Sequence, residues 1–595
     1  MSANIEVGVL ATKVFDVIIC GCGLAGLTLA RQLRREFPDL EILAIDKTAR
    51  PLPDACHKVG ESSVELGSQY LERLGLTDYL LEHHIIKFGL RFFPGGGNLP
   101  LEQRTEIGPP KNPIVRSYQL DRGRLEQDLR AMVELDGVVL LEGATVRRTE
   151  LAGQSEPHAV IVGVGEQDIR IQTRWIVDAT GRRALMRREQ KLERDHGHHA
   201  SAGWFRVQGK VDITEMVGRE EVAWHRHRWT EERWRSTNHF MGEGYWVWVI
   251  PLAGGRTSIG AVVHTDTHSF DDVRTLDRTL GFIAKHEPQL AKFLEQFEVL
   301  DFLCLGDYSN GVERSWSADR WAIVGVAGAF VDPLYSPGTD FIAIANTFTT
   351  ELIRVDREGG DLETRVRELD TQYRELVDGN VNLFRRAAPI YGHARAMAAK
   401  VYWDNFAYWN YPCQYFLQGI YRLSGAAHQP FLTVGGRFLA LGRHAQDLIR
   451  GWARLAPNVV EPGFIAMPDF PSVLVDSHID LQKSMSADKT LEYMQLRAQQ
   501  GEEIIAELVI RVVQELGVEV GAELLDSLGA HDWRVRIDPA RLDAEAGTGM
   551  TRRRALSAIA RDVERTLGPV RRHETAAEGR TLLLERFGPL ERRPV

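Results

Sequence analysis

Residues 14–26 read VFDVIICGCGLAG, and this stretch decides the fold. Apart from one aspartate, its first six residues are apolar and mostly β-branched, which predicts a buried strand. Three glycines follow at the spacing G-x-G-x-x-G, and residues 27–37 (LTLARQLRREF) then carry apolar side chains at helical spacing. Residues 40–45 (LEILAI) are typical of a second strand. The order predicts a βαβ unit that opens with a tight, glycine-rich turn.

Each residue of this turn has a physical task in binding a dinucleotide. Gly21 permits the tight turn, Gly23 lets the backbone approach a pyrophosphate, and Gly26 lets the helix pack closely on the strand. Amides at the helix N-terminus favour the phosphates. Asp46 lies 20 residues after Gly26, where a carboxylate accepts hydrogen bonds from ribose hydroxyls. We predict a Rossmann-type nucleotide site made of Gly21, Gly23, Leu24, Ala25, Gly26, Asp46 and Lys47.

Length and composition narrow the class of protein. The 595 residues exceed one hydrophobic core, so two to four domains are expected. The net charge of -10 and the lack of a basic stripe argue against a nucleic-acid partner. We find no apolar run long enough to span a bilayer, and the N-terminus lacks the regions of a secretory signal. Five cysteines do not make a disulfide framework in so long a chain, so we expect a cytoplasmic protein.

Two later segments decide between FAD and NAD. Residues 175–182 (WIVDATGR) and 321–333 (WAIVGVAGAFVDP) each read as a strand that runs into a turn of small residues. With the first fingerprint they resemble the FAD domain of the glutathione-reductase and p-hydroxybenzoate-hydroxylase type. The resemblance implies FAD as cofactor and adds Thr180, Gly181, Asp332, Gly338 and Thr339 to its site. The sequence contains one dinucleotide fingerprint, so a separate flavin reductase is expected to supply reduced FAD.

A further segment, residues 118–125 (YQLDRGRL), resembles another recurring piece of the same FAD domain. In that group an arginine of the following helix lies near the flavin. Arg122 and Arg124 are the two candidates in this chain, and we choose Arg124.

Three motifs narrow the family. Residues 246–251 (WVWVIP) match W-x-W-x-I-P, and the two Trp and the Ile would share one face of a strand. Residues 60–63 (GESS) are followed by a helical stretch and then by Lys87. Residues 325–346 (GVAGAFVDPLYSPGTDFIAIAN) contain a turn of the Pro-Leu-x-Ser-x-Gly type before a helix. Together these segments resemble the flavin-dependent halogenases, of the tryptophan and phenol halogenase type, over roughly residues 14 to 425.

The resemblance implies particular roles for matched residues. Lys87 falls on the active-site lysine, and Gly60, Glu61 and Ser62 fall on a loop at the flavin. Two residues depart from the family pattern. Tyr335 stands where tryptophan halogenases carry a glutamate, which makes free tryptophan an unexpected substrate. Pro337 stands where a backbone N–H helps to hold chloride, and proline has none. Halide binding would then use other donors, such as the Gly338 and Thr339 amides, or would be absent.

The chemistry implied is halogenation with reduced FAD, oxygen and halide, which together give hypohalous acid. Lys87 would position this acid by hydrogen bonding or carry the halogen as a haloamine, because a desolvated lysine can lose its proton. The expected substrate is an electron-rich, aromatic natural-product precursor (a phenol, pyrrole or indole), either free or tethered to a carrier protein. The alternatives are a flavin monooxygenase or oxidase that does not use halide, and a non-catalytic FAD-stabilised binding protein.

The predicted fold class is α/β, with a Rossmann-type FAD-binding domain, an inserted β-sheet substrate domain and a helical C-terminal extension. Residues 402–421 hold nine aromatics, which either pack a helical lid on the core or form an aromatic substrate cavity. The extension either packs on the rest of the chain, mediates oligomerisation or docks a carrier. No metal is expected, because the His-rich segment 195–199 has no companion cysteine. The predicted boundaries are 1–200 with 300–380 (FAD), 201–299 (substrate sheet), 381–455 (aromatic lid) and 456–595 (extension).

Overall fold

A computed structural model describes most of the chain. The described residues are 7–53, 60–153, 156–227, 229–458, 462–468, 472–546, 556–568 and 576–588. Residues 1–6, part of the stretch predicted to lack a secretory signal, lie outside them. Among the described helices, none combines the length and the apolar character that a membrane crossing requires.

The strands of the described residues, in chain order, are β1 (Val14–Cys20), β2 (Ile42–Asp46), β3 (Ile85–Ile86), β4 (Leu90–Phe93), β5 (Thr105–Gly108), β6 (Tyr118–Gln119), β7 (Val139–Glu142), β8 (Ala144–Glu150), β9 (His158–Val164), β10 (Gln167–Asp178), β11 (Glu193–Arg194), β12 (Ala200–Gln208), β13 (Thr237–Gly242), β14 (Tyr245–Leu252), β15 (Arg256–His264), β16 (Glu298–Leu305), β17 (Gly311–Val312), β18 (Trp316–Ser317), β19 (Trp321–Ile323) and β20 (Gly463–Ala466).

The α-helices of the described residues are α1 (Val7–Thr12), α2 (Leu24–Glu36), α3 (Glu65–Leu71), α4 (Thr77–His83), α5 (Arg122–Leu135), α6 (Leu185–Glu189), α7 (Val222–His225), α8 (Leu276–His286), α9 (Pro288–Leu294), α10 (Gly338–Arg357), α11 (Leu362–Phe384), α12 (Ala388–Tyr391), α13 (Ala394–Tyr408), α14 (Gln414–Leu417), α15 (Gly425–Leu455), α16 (Val473–Asp480), α17 (Ala487–Leu516), α18 (Val518–Ser527), α19 (Pro539–Ala546), α20 (Ala558–Leu567) and α21 (Ala576–Phe587). Two π-helical turns, Glu72–Leu76 and Trp409–Cys413, interrupt this series.

The first sheet is the predicted Rossmann-type unit. Its order is β18-β19-β10-β1-β2-β7, and β19, β10, β1, β2 and β7 run parallel. The apolar run of β1 is buried on both faces, as a central parallel strand requires, and Ile18 and Ile19 are inaccessible to solvent. The sheet therefore confirms the predicted α/β class and presents the ends of β1, β2 and β10 at one edge.

The second sheet carries the tryptophan motif. Its order is β16-β12-β15-β14-β13-β4-β5-β20. Along β14, Trp246 and Trp248 face the large core shared with the first sheet, whereas Tyr245 and Val247 pack in a separate core with α8 and α9. The predicted period-two alternation is confirmed. Strands β4 and β5 also pair in this sheet, although the predicted boundaries placed them in the FAD domain, and β20 joins from the predicted extension.

Helices pack on the face of the second sheet that carries Trp246 and Trp248, opposite the core that the sheet forms with α8 and α9. The aromatic lid, residues 381–455, contributes α12, α13, α14 and α15, and α17 of the extension packs along α13 and α15. Polar contacts fix this packing: Tyr402 of the lid donates to Asp562 over 2.7 Å, and Arg437 of α15 donates to Glu502 of α17 over 2.7 Å. Of the three roles considered for the extension, packing on the chain is the one these contacts support.

Candidate active site

The glycine-rich turn between β1 and α2 leaves no room for side chains. Gly21 has φ +115°, and a Cβ there would lie 2.3 Å from the Ala179 carbonyl oxygen of the neighbouring strand's end. A Cβ on Gly26 would lie 1.9 Å from the Gly21 carbonyl oxygen. Gly23 precedes the first residue of α2, whose first-turn amides have no side-chain cap. These amides are free to face an anion at the helix N-terminus.

Asp46 is held ready at the end of β2. Its carboxylate accepts hydrogen bonds from the amides of Cys22 (2.7 Å) and Thr48 (2.8 Å), and Arg130 lies 3.4 Å away. The side chain stays 17% exposed, so the carboxylate can also accept from a ribose. Lys47 beside it is exposed. The turn's donors and the Asp46 acceptor therefore match the pyrophosphate and ribose of FAD.

The other predicted FAD segments meet this turn. A Cβ on Gly325 would lie 2.8 Å from the Ala25 side chain, so the later segment crosses directly over the start of α2. Thr180 donates to Asp178 through both its amide (2.8 Å) and its hydroxyl (2.6 Å). Gly181 follows with φ +62° and nothing within 4 Å of a built Cβ. The structure thus brings segments 21–26, 178–181 and 325 together.

The two arginine candidates of α5 point in different directions. Arg122 is buried and donates to the Gly60 carbonyl over 3.3 Å, so it contacts the loop of the Gly-Glu-Ser motif. Arg124, which the sequence favoured, is 48% exposed and contacts His83 (2.9 Å) and Asp128 (3.6 Å). Its position is on the outer side of the helix.

The Gly-Glu-Ser loop lies between the two sheets. Gly60 has φ +105°, and the Ser62 hydroxyl is 2.9 Å from the Thr237 hydroxyl of the second sheet. Burial raises the pKa of Glu61 to about 8, and its Oε1 has no hydrogen-bond partner. Nearby, Trp248 Nε1 donates to the Ser258 hydroxyl over 3.1 Å. The Glu61 carboxyl group can therefore accept or donate a hydrogen bond with a polar group bound between the sheets.

Lys87 lies just before β4 and is 1% exposed. Its ammonium donates to the Ser63 carbonyl over 2.9 Å, which ties it to the Gly-Glu-Ser loop. Burial lowers the pKa of Lys87 to about 7, although the carboxylates of Glu65 and Asp340 raise it. A lysine of this kind exchanges between ammonium and amine near neutral pH.

Lys87 opens into a cavity with a volume of about 810 Å³. One part of the wall is aromatic, and four of the nine lid aromatics contribute to it, while Tyr402, Phe406, Tyr415, Phe416 and Tyr421 are packed in the core or at its edge. The lid therefore packs on the core and also supplies an aromatic wall to the cavity. The aromatic side chains that line the cavity are Phe92, Tyr335, Phe341, Trp403, Tyr408, Trp409, Tyr411 and Phe438.

The loop before α10 supplies another wall of the cavity. Tyr335 is half-buried, and the Nζ of Lys400 lies 5.7 Å from its ring centroid. Desolvation together with the Asp404 carboxylate raises the pKa of Tyr335. Pro337 precedes α10, so Gly338 and Thr339 stand in the first turn of the helix. The buried Thr339 hydroxyl has no hydrogen-bond partner.

Asp332, at the start of this loop, faces the second sheet. Its carboxylate accepts from the Tyr308 hydroxyl (3.0 Å) and the Leu334 amide (3.0 Å), and His198 Nε2 lies 3.0 Å away. His264 completes a buried group whose ligand atoms lie within 4.8 Å of one another. Elemental analysis of the purified protein would therefore test the prediction of no metal at this cluster.

Three cavity residues escaped the sequence interpretation. Asp340 is fully buried, and burial raises its pKa to about 7. Glu65, the first residue of α3, lies 3.1 Å from His478 of α16. Of Asp340, Glu65 and His478, only Asp340 could have been found from the sequence, because it is an acid in the first turn of a helix beside the matched loop.

Known flavin-dependent halogenases are similar to this chain in sequence. The sequence model of the family described as tryptophan halogenase matches residues 100–385. The flavin-dependent halogenase chlA of Dictyostelium discoideum is 29% identical over 427 residues, which cover 67% of this chain and 70% of the relative. A 1H-pyrrole-2-carbonyl-(peptidyl-carrier protein) chlorinase of Pseudomonas fluorescens is 24% identical over 350 residues, 54% of this chain and 72% of that one.

Solved structures share the fold. The halogenase PltM in complex with phloroglucinol and FAD superposes with a TM-score of 0.60 at 14% identity, over 82% of this chain and 96% of that one. The cradle of glycines, amides and Asp46 described above fits FAD as the cofactor. The chain is therefore similar in sequence and in fold to the flavin-dependent halogenases, which are FAD-using oxidoreductases.

Proposed function

We propose that this enzyme halogenates an electron-rich aromatic ring held in the 810 Å³ cavity, with Lys87 as the residue that delivers the halogen. One observation carries the proposal: the cavity combines a buried lysine, whose pKa burial lowers to about 7, with an aromatic wall. A ring stacks well on such walls, and a neutral amine is nucleophilic toward an electrophilic halogen.

The chain's residues divide the work between two places. When bound in its reduced form, FAD would reduce oxygen, and the product of that reaction would oxidise halide to hypohalous acid. Trp246 and Trp248 are buried side by side, with ring centroids 5.7 Å apart. Their proposed role is to shield the bound flavin from water. Lys87 binds the acid by a hydrogen bond or carries the halogen on its amine, with the Ser63 carbonyl fixing its direction.

Halide binding is assigned to the amides of Gly338 and Thr339. First-turn amides of a helix have no intrahelical acceptor, so they can hold an anion without help from the missing N–H of Pro337. The buried, unpartnered Thr339 hydroxyl is a further donor. For the nucleotide, we include Arg122 beside the Gly-Glu-Ser loop and keep Arg124 as the alternative.

The substrate class follows from the cavity and from the relatives. The wall suits a phenol, pyrrole or indole, and Tyr335 in place of a carboxylate argues against free tryptophan. The Pseudomonas relative acts on a pyrrole joined to a carrier protein, so we include a carrier-bound precursor among the substrates. A separate reductase is the proposed source of reduced FAD.

The test combines two readouts on one sample. Purified protein receives FAD, a flavin reductase, NADH, oxygen and chloride or bromide; a dye-coupled thiol traps hypohalous acid, and phloroglucinol and 2-acetylpyrrole serve as rings. We expect halide-dependent oxidant in the wild type and in Lys87→Ala, with ring halogenation reduced about 100-fold or more in the variant. Lys87→Arg should not restore halogenation, since a guanidinium does not deprotonate. Lys111→Ala, exposed at the cavity rim, is the matched control.

Hydrogen peroxide alone, unchanged by halide, would contradict the proposal. It would favour the monooxygenase or oxidase alternative, for which Pro337 is the structural reason. Equal halogenation by wild type and Lys87→Ala would leave a halogenase in which Lys87 has no role.

A further inference from the structure

A histidine from the C-terminal extension reaches the wall of the Lys87 cavity. His478 lies on α16, is 2% exposed, and stacks on the Trp409 ring with centroids 4.6 Å apart. Asn410 of the lid donates to the Ser477 hydroxyl over 2.9 Å, which fixes α16 against the lid. The side chain therefore comes from the extension, residues 456–595, and the aromatic ring that it stacks on comes from the lid.

His478 is paired with the carboxylate that is coupled to Lys87. Its Nε2 lies 3.1 Å from Glu65 Oε1, and Glu65 and Asp340 are the two charges that raise the pKa of Lys87. Glu65 begins α3, immediately after the loop whose Ser63 carbonyl holds the Lys87 ammonium. Lys87, Glu65 and His478 thus act on the same part of the cavity.

The other buried carboxylates of the cavity wall are already engaged. Asp340 accepts from the Gly67 amide (2.8 Å) and the Tyr408 hydroxyl (2.7 Å). Asp404 pairs with Lys400 (2.8 Å) and accepts from Gln446 (2.7 Å). The remaining lining carboxylates that the structure describes, Asp195, Glu375 and Asp378, are exposed at the rim.

A second histidine, His196, also lines the cavity. Burial lowers the pKa of His196, and the charges with the largest effect on it are those of Arg194, Asp378 and His198. No side-chain hydrogen bond and no ion pair with a carboxylate is described for its ring. Of the two histidines, only His478 is linked through a carboxylate to Lys87.

Aromatic halogenation requires a base as well as a halogen donor. The ring carbon forms a bond to halogen while the O–X bond of hypohalous acid, or the N–X bond of the Lys87 haloamine, breaks. The oxygen leaves as water with a proton from the site, or the Lys87 nitrogen keeps the electron pair of the N–X bond and takes up a proton to restore the amine. The ring then loses its C–H proton and recovers aromaticity. The proposed function supplies the oxidant, and the proton needs an acceptor in the cavity.

We infer that the Glu65–His478 pair is this acceptor: the imidazole takes the ring proton, and the Glu65 carboxylate orients it and stabilises the imidazolium. The assignment rests on the proposed function of the cavity and adds a catalytic residue to it. An imidazole changes charge near neutral pH, and an adjacent carboxylate is the usual partner of a catalytic histidine.

The test uses His478→Asn and Glu65→Gln in the full-length, FAD-loaded enzyme, with phloroglucinol, 2-acetylpyrrole and their ring-deuterated forms as probes. We expect hypohalous acid release within about twofold of wild type, because the pair acts after the oxidant forms. Ring halogenation should fall about 100-fold in His478→Asn, in the range of general-base effects, and less in Glu65→Gln. A kinetic isotope effect on kcat should appear in His478→Asn, since loss of the C–H proton becomes slow.

Two control variants separate catalysis from structure. Asp480→Asn, on the same helix, breaks the 2.9 Å contact with Arg497 and should keep wild-type kinetics. His196→Asn removes the other cavity histidine and should give no isotope effect. Flavin content and circular dichroism check that each variant folds. If His478→Asn does not fold, Glu65→Gln still tests the inference.

Several outcomes would overturn the inference. Unchanged halogenation in both variants would do so, as would a rise in KM alone with no isotope effect, which describes substrate positioning. An isotope effect in His196→Asn instead would assign the base to the other histidine. If the wild type releases no hypohalous acid, or releases it and halogenates neither ring, the proposed function fails and the inference falls with it.

Discussion

The Tyr408 hydroxyl donates a hydrogen bond to Asp340 Oδ2 over 2.7 Å, and so joins the aromatic lid to the first turn of α10. The same carboxylate accepts from the Gly67 amide of α3 over 2.8 Å. Three separate segments of the cavity wall are therefore fixed by one buried acid, and that acid is one of the two that act on Lys87.

This relationship predicts a pH effect. The Asp340 carboxylate raises the pKa of Lys87, so Asp340→Asn should lower it further. If the neutral amine carries the halogen, halogenation in the wild type should rise with pH through about 7, and this limb should move to lower pH in the variant. A pH profile of kcat measures the shift. Asp378→Asn, at the exposed rim, should leave the limb in place, and an unmoved limb in Asp340→Asn would assign it to another group.

The burial of the charged Lys87 side chain should also destabilise the folded protein. Its pKa is lowered in the fold, so between pH 7 and its ordinary value the unfolded chain binds more protons than the folded one. The free energy of unfolding is therefore lowest below about pH 7 and rises between pH 7 and the ordinary lysine pKa. Above that pKa, the burial of Lys87 no longer destabilises the protein. Lys87→Met should raise the free energy of unfolding at pH 6, by about 1.4 kcal/mol per unit of pKa depression, and by less at pH 9.

Denaturant unfolding at the two pH values measures this difference. Lys285→Met, an exposed lysine on α8, is the matched control and should change stability little at either pH. A Lys87→Met protein that is less stable than the wild type at pH 6 would show that packing of the aliphatic stem outweighs the cost of burying the charge.

Pro337→Ala restores an N–H at the start of α10. If halide is held by the first-turn amides, an added donor should strengthen binding about fivefold, the effect of one net hydrogen bond of about 1 kcal/mol. The measurement is the chloride concentration that gives half-maximal hypohalous acid release. Pro333→Ala, earlier in the same loop, adds an N–H away from the helix start and should leave that concentration unchanged; an equal effect of both variants would place the halide elsewhere.

Gly26→Ala should disrupt FAD binding, because the added Cβ would lie 1.9 Å from the Gly21 carbonyl oxygen and would push α2 away from the glycine turn. Flavin absorbance after gel filtration measures the loss. Gly281→Ala in α8, where nothing lies within 4 Å of the new Cβ, should retain FAD and gain about 0.5–1 kcal/mol of stability. Full flavin content in Gly26→Ala would show that the turn tolerates a shift of the helix.

The sequence predicted those parts of the site that are contiguous in the chain. The β1 turn and Asp46 are read from one stretch of pattern, and the alternation along β14 placed Trp246 and Trp248 on one face. Contacts between distant segments leave no such pattern. Glu65 and His478 meet only because α16 packs on the lid, which nothing near either residue indicates.

Two other differences have local physical reasons. Arg122 and Arg124 are two positions apart on α5, so they leave the helix on opposite sides and only one can reach the Gly-Glu-Ser loop. Strands β4 and β5 join the second sheet because β4 pairs in parallel with β13, a partner that lies far along the sequence. Strand pairing of this kind is set by the whole sheet, and a boundary drawn from composition does not detect it.

The position of α16 in the cavity wall also bears on how such an enzyme evolves. The glycine turn, the tryptophan motif and Lys87 belong to the first two-thirds of the chain, whereas Val475 and His478 come from the extension. Mutation or exchange of the tail would therefore alter the shape offered to a ring while the machinery that makes the oxidant stays intact. In this architecture, substitutions in the extension can change the substrate range without changing the residues proposed to supply the oxidant.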